Sequence, residues 1–111
     1  MKPPGLDPGT PILLYLHSPR EKVFGVLMSL QPAGIAVRGI DLATYEDWLR
    51  QEARGEKGLG LVTLFYPMNR VLRVERDETV SGLEGIADRF QRETGRSVLE
   101  AAGFSSRRTR R

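Results

Sequence analysis

The sequence predicts a mainly β fold, a small five-stranded barrel carrying two helices. Three observations predict it. Apolar, branched or aromatic runs of strand length recur across residues 12–76, separated by Pro- and Gly-containing turn signals. Gly25 lies inside one of these runs, where a small barrel requires a sharp bend or a close backbone approach. Apolar residues at helical spacing are confined to two stretches, near 42–53 and 80–92. A length of 111 residues suits one domain with a real core, and the absence of cysteine excludes a disulfide framework or a cysteine-ligated metal.

Residues 1–11 hold four prolines and two glycines and read as an irregular lead-in. Residues 12–17 are apolar and strand-like, and Ser18-Pro19-Arg20-Glu21 follows as a turn with Pro19 preset for it. Residues 22–30 form a second strand. Alternation puts Phe24, Val26, Met28 and Leu30 on one face and Val23, Gly25, Leu27 and Ser29 on the other. The turn signal Gln31-Pro32-Ala33-Gly34 then predicts a hairpin with residues 34–40.

Asp41 or Thr44 caps the predicted helix at 42–53, where Tyr45, Trp48, Leu49 and Glu52 fall on or near one side. Its acids come early and its arginines late, which suits the helix dipole, and glycines from Gly55 onward end it. Residues 61–66 form the fourth strand. Pro67-Met68-Asn69 breaks it, and 70–76 resumes as a fifth, with Leu72 and Val74 on one face and Arg73 and Glu75 on the other. Thr79 or Ser81 opens the last helix, Ser81 and Glu84 having capping-box spacing, with Leu83, Ile86, Ala87 and Phe90 as its apolar stripe. Gly95 breaks this helix, and 97–102 forms one more short helical turn.

The net charge of +3 divides unevenly. Residues 104–111 hold four arginines, Arg107, Arg108, Arg110 and Arg111, and no acid. Removing those 4 from 17 basic residues leaves 13 against 14 acids, so residues 1–103 carry −1. The predicted domain is therefore 12–103, followed by a basic disordered tail that is the strongest phosphate-binding candidate by charge alone. Arg38, Arg70, Arg73 and Arg76 with Tyr45, Trp48 and Tyr66 add a weaker case for base stacking and phosphate contact.

An enzyme is not expected. The single histidine, His17, has no cysteine or second histidine to form a nucleophilic dyad or a transition-metal site, and no cofactor is called for. Asp41, Glu46, Asp47, Glu52 and Glu56 read as a solvated helix face, and the glycines at 55–60 lack the ending of a phosphate loop. No apolar run approaches the roughly 20 residues of a membrane span, and no charged start leads into an apolar signal. The expected protein is soluble and cytoplasmic, without membrane contact.

The stretch from Lys22 to Asp41, KVFGVLMSLQPAGIAVRGID, resembles the first motif of the Sm-like family, with Gly25 at the family glycine and Phe24, Val26 and Leu30 at apolar positions. The stretch from Tyr66 to Val74, YPMNRVLRV, is similar to the second motif, a short final strand after a tight break. The resemblance covers roughly residues 12–76. It implies a strongly bent five-stranded barrel whose outer strands pair between subunits into a ring-shaped homo-oligomer. The helix at 42–53 would be an insertion, and the 83–90 stripe would cover the open barrel end.

The resemblance also implies contacts to single-stranded RNA at two loops. Gln31 occupies the comparable region of the first, and Asn69 and Arg70 that of the second. The leading expectation is a non-enzymatic RNA-binding module that uses these residues and the arginine tail. The alternative is a protein-interaction or scaffolding module whose two helices present apolar surface.

Overall fold

A computed structural model of the chain describes residues 5–104, which comprise five strands and three helices. The strands are β1 (Pro11–Leu16), β2 (Glu21–Gln31), β3 (Gly34–Asp41), β4 (Val62–Pro67) and β5 (Val71–Arg76). The helices are α1 (Tyr45–Ala53), α2 (Ile86–Thr94) and α3 (Val98–Ala101). All five strands join one antiparallel sheet in the order β4-β3-β2-β1-β5. The mainly β fold with helices is therefore as the sequence predicts. The sheet is not closed, and β4 and β5 are its two edges.

One face of the sheet packs on itself. Ile12, Leu14 and Leu16 of β1 meet Val23 and Leu27 of β2 and Ile35 and Val37 of β3, with Leu64 and Tyr66 of β4 and Val71 and Val74 of β5 against them. Both edge strands thus reach one cluster that contains no helical residue, so the sheet must curl around it. The opposite face carries Phe24, Val26 and Ile40 and is covered by Tyr45, Trp48 and Leu49 of α1, Phe90 of α2 and Val98 of α3. Trp48 stacks on Phe90 with ring centroids 4.6 Å apart and planes 16° apart. Tyr45 meets Phe24 edge-on at 5.7 Å. Such pairs add about 0.5–1.5 kcal/mol to the burial of the rings themselves.

Two glycines let β2 and β3 approach. Gly25 pairs directly with Gly39. A Cβ on Gly25 would lie 2.5 Å from the Arg38 carbonyl oxygen, and one on Gly39 would lie 2.8 Å from that of Phe24. The close approach expected at Gly25 is present, and its partner glycine went unremarked in the sequence.

Strict alternation fails at two places, both bulges. Leu27 pairs with Val37 but Ser29 pairs with Ala36, so Met28 is an extra, exposed residue. Beyond it the faces exchange, and Leu30 joins Val23 and Leu27 rather than Phe24 and Val26. Likewise Tyr15 opposes Arg73 while Leu16 opposes Val71. Leu72 is left over, exposed, and does not share the inner face with Val74.

The helix starts also differ from expectation. Asp41 does act as a cap, its carboxylate accepting from the Ala43 N–H, but over a 3₁₀ turn (Leu42–Thr44) that precedes α1. The Ser81–Glu84 capping box does not form. α2 begins after Gly85, and the Asp77 carboxylate accepts from both the Ile86 and Ala87 N–H groups at 2.8 Å. Glu84 instead forms a two-pronged pair with Arg92. The last helical turn is as predicted, with Ser97 accepting from the Glu100 N–H. Phe104 packs on the helical side of the core and its N–H donates to the Leu99 carbonyl at 2.7 Å, so the fold extends one residue into the segment read as tail.

Candidate nucleic-acid interface

The connection between the two edge strands is a single 3₁₀ turn, Met68–Arg70. Pro67 supplies its extended entry (φ −59, ψ 147), and the turn draws two other loops to it. The Met68 N–H donates to the Ala33 carbonyl at 3.0 Å, which brings in the β2–β3 turn. The His17 N–H donates to the Arg70 carbonyl at 3.0 Å, which brings in the β1–β2 turn. Gln31 and Asn69, both exposed, therefore belong to neighbouring loops although 38 positions separate them in the chain.

Arg70 is held differently. Its Nε donates to the His17 carbonyl at 3.0 Å and its Nη2 to the Pro19 carbonyl at 2.8 Å. The same guanidinium lies 3.6 Å from a Glu21 carboxylate oxygen and 5.6 Å from the centroid of the Tyr66 ring. These contacts make Arg70 a strut between loops. Burial of the Tyr66 phenol and the Glu21 charge push its pKa up, against the pull of Arg70. Ser18, at φ 60, and the cis peptide bond from Ser18 to Pro19 set the shape of the turn Arg70 grips. His17 places Nδ1 3.1 Å from the Ser18 hydroxyl.

Tyr45 and Trp48, read as stacking surfaces, are buried in the helical core. So is Phe90, so α1 and α2 do not present the apolar surface that the scaffolding alternative assigned to them; they face each other and the sheet. Nor does α2 cover an open barrel end, because Phe90 lies on the Phe24 and Val26 face. Sequence alone shows their periodicity but not which apolar surface the stripe meets.

A half-exposed aromatic that sequence reasoning missed is Tyr15. Arg73 lies 4.5 Å and Lys22 5.7 Å from its ring centroid, and its hydroxyl donates to Glu75 at 3.2 Å. Its two cations come from the two strands flanking β1, opposite Tyr15 in register. That cross-strand triplet has no signature along one chain segment.

Electrostatically the domain is compensated. Arg73 pairs with Glu75, Arg76 with Glu78, Arg89 with Glu46 and Glu93, and Arg96 with Glu52. Hydrogen bonds from Arg89 and Arg92 hold Glu46 and Glu84 below the ordinary carboxylate range. Arg38 donates to the Ala102 carbonyl and the Thr63 hydroxyl. Among the described residues Arg20, Lys22, Arg38 and Lys57 have no ion pair. Arg107, Arg108, Arg110 and Arg111 lie outside the described residues.

A recess of about 310 Å³ opens between β2, β3 and β4, with Glu21, Asp41 and Tyr66 on its wall and Gly39 and Gly60 at its lining. Among the described residues no group of three or more His, Cys, Asp or Glu is placed to hold a metal ion, and no helix is long and apolar enough to cross a membrane. No known protein family, curated protein or solved structure matches the chain.

Proposed function

We propose that the chain is a non-enzymatic, Sm-like module that assembles through its two free sheet edges and holds single-stranded RNA at the loops around Gln31 and Asn69. The observation that carries this reading is the hydrogen bond from Met68 to Ala33, which joins those two loops. The strand order, the Gly25 approach and the one-turn link between β4 and β5 support an Sm-like barrel. Unpaired backbone groups along β4 and β5 are a template for pairing with another chain, and cyclic pairing would satisfy them in a ring. The arginine tail supplies the charge that the compensated domain lacks.

The test is fluorescence anisotropy of a short labelled single-stranded RNA at low salt, alongside light scattering. The combined substitution Gln31→Ala and Asn69→Ala is expected to weaken binding about tenfold, roughly 1.4 kcal/mol. Arg70 is a poor probe, because removing it also disrupts the turns it braces.

A second reading, a homo-oligomeric scaffold without nucleic acid, is favoured by one observation. The exposed large apolar side chains include Val62 and Phe65 on one edge strand and Leu72 on the other. An assembled protein that shows no RNA binding at low salt would establish this second reading over the first.

A further inference from the structure

Between β5 and α2 the chain makes a small hairpin of its own. Val80 and Leu83 exchange backbone hydrogen bonds of 3.1 and 2.9 Å around Ser81 (φ 52) and Gly82 (φ 80). Two successive positive φ values are the mark of a type I′ turn, the tight hairpin connection. Its base is pinned. The Gly85 N–H donates to the Thr79 hydroxyl at 3.0 Å, and that hydroxyl donates to Asp88 at 2.6 Å. Gly85 lies so close to Glu78 that a Cβ there would come within 2.9 Å of its carbonyl carbon.

The turn is thus rigid, yet it holds its two apolar side chains in solvent, Val80 54% and Leu83 77% exposed. Among the described residues neither belongs to or packs against either hydrophobic cluster. A pinned turn that displays a leucine is a contact element awaiting its surface.

We infer that this turn is part of the contact between copies of the chain, seated on the start of β4 of a neighbouring copy around Leu59 and Val62. The inference rests on the edge-assembly reading and names what lies beyond the paired strands. Every strand pair in the sheet is antiparallel. An antiparallel pairing of β5 with a neighbour's β4 places the end of β5, Arg76, beside the start of β4, Val62. The hairpin begins four residues after Arg76, and Leu59 stands three residues before Val62. Leu59 and Val62 are 41% and 52% exposed and so offer the apolar surface that the turn lacks.

The charges beside the two apolar pairs are opposite in sign. Asp77 and Glu78, the latter paired with Arg76, precede the turn, whereas Lys57 precedes Leu59 and has no ion pair among the described residues. Turn and strand start are different surfaces of one chain, so the contact is heterologous and repeats from copy to copy.

The absence of cysteine makes the test clean. Leu83→Cys and Leu59→Cys variants are mixed and oxidised, with a Gln91→Cys variant replacing Leu59→Cys as control. A disulfide-linked pair formed by the first mixture and not by the control is the expected result, as is a ladder of linked chains from the double variant. Leu83→Asp should weaken assembly at least tenfold in light scattering while leaving the melting temperature of the dilute, unassembled chain unchanged, since Leu83 is solvent-exposed. If the wild-type chain assembles but neither the cross-link nor the Leu83→Asp effect appears, the hairpin contact is overturned and edge assembly stands. A wild-type chain that stays monomeric into the high micromolar range overturns both.

Discussion

At the scale of single residues, backbone clearance and burial outweigh charge. Gly25 and Gly39 face each other across β2 and β3, and a methyl group on Gly25 collides with backbone atoms that no rotamer change moves aside. Gly25→Ala should therefore destabilise the fold by about 3 kcal/mol, the upper end of overpacking costs, as read from urea unfolding. Gly25 was legible because a glycine inside an apolar strand needs a reason; Gly39 was not, because its reason lies across the hairpin. Tyr45 yields a pH prediction. Burial pushes its phenol from the ordinary 10.0 to about 12, opposed by the nearby Arg89. The folded state then holds the phenolic proton more tightly than the unfolded state, so the stability Tyr45 contributes is complete below pH 10 and is lost as pH rises towards 12. Replacing it by Phe should flatten that alkaline fall, at the loss of its hydrogen bond to the Ile86 carbonyl. An unchanged alkaline slope in Tyr45→Phe would place the dependence elsewhere.

At the scale of elements, local patterns located every strand and helix and misjudged how some begin and turn. Capping-box spacing at Ser81 and Glu84 is a genuine local signal, but residues 80–83 form the type I′ hairpin and Ser81 takes φ 52, which is not the extended backbone of a helix N-cap. The actual cap, Asp77, lies eight residues before the helix end of that loop at Gly85 and reaches it only because the loop folds back. Asp77→Ala should cost about 1–2 kcal/mol in thermal or urea unfolding, since it strips a partner from two helix N–H groups. Ser81→Gly should be neutral or slightly stabilising, because glycine tolerates the positive φ. A Ser81 substitution costing as much as Asp77→Ala would restore the capping box. The bulges at Met28 and Leu72 escaped for a related reason. Alternation is a property of one strand, whereas a bulge is a mismatch between two, and after Met28 it moved Leu30 to the opposite face.

At the scale of the whole molecule, the sheet curls around one cluster without pairing its edges, and the charge lies mainly outside the described fold. Neither fact is visible in the net charge of +3, which combines a near-neutral domain with four terminal arginines. Gln31 and Asn69 were legible as loop residues, but their adjacency depends on the pairing of β3 with β4, which sets Gly34 opposite Pro67 and is continued by the hydrogen bond between Met68 and Ala33. The division of charge gives a test of the RNA reading that leaves the fold intact. Truncation must begin at residue 105, because Phe104 packs on the core and bonds to Leu99. A chain ending at Phe104 should melt like the full-length protein and carry −1 in place of +3, since only the four arginines are lost with any charge. Each arginine that neutralises a phosphate of single-stranded RNA releases about 0.7 of a counterion, so the slope of log affinity against log salt should fall by at most about 3. A slope near zero in the truncated protein would assign the electrostatic part of binding wholly to the tail, leaving Gln31 and Asn69 to direct hydrogen bonds. An unchanged slope would remove the tail from the site and leave the exposed cations of the domain, Arg20, Lys22 and Lys57, to meet the phosphates.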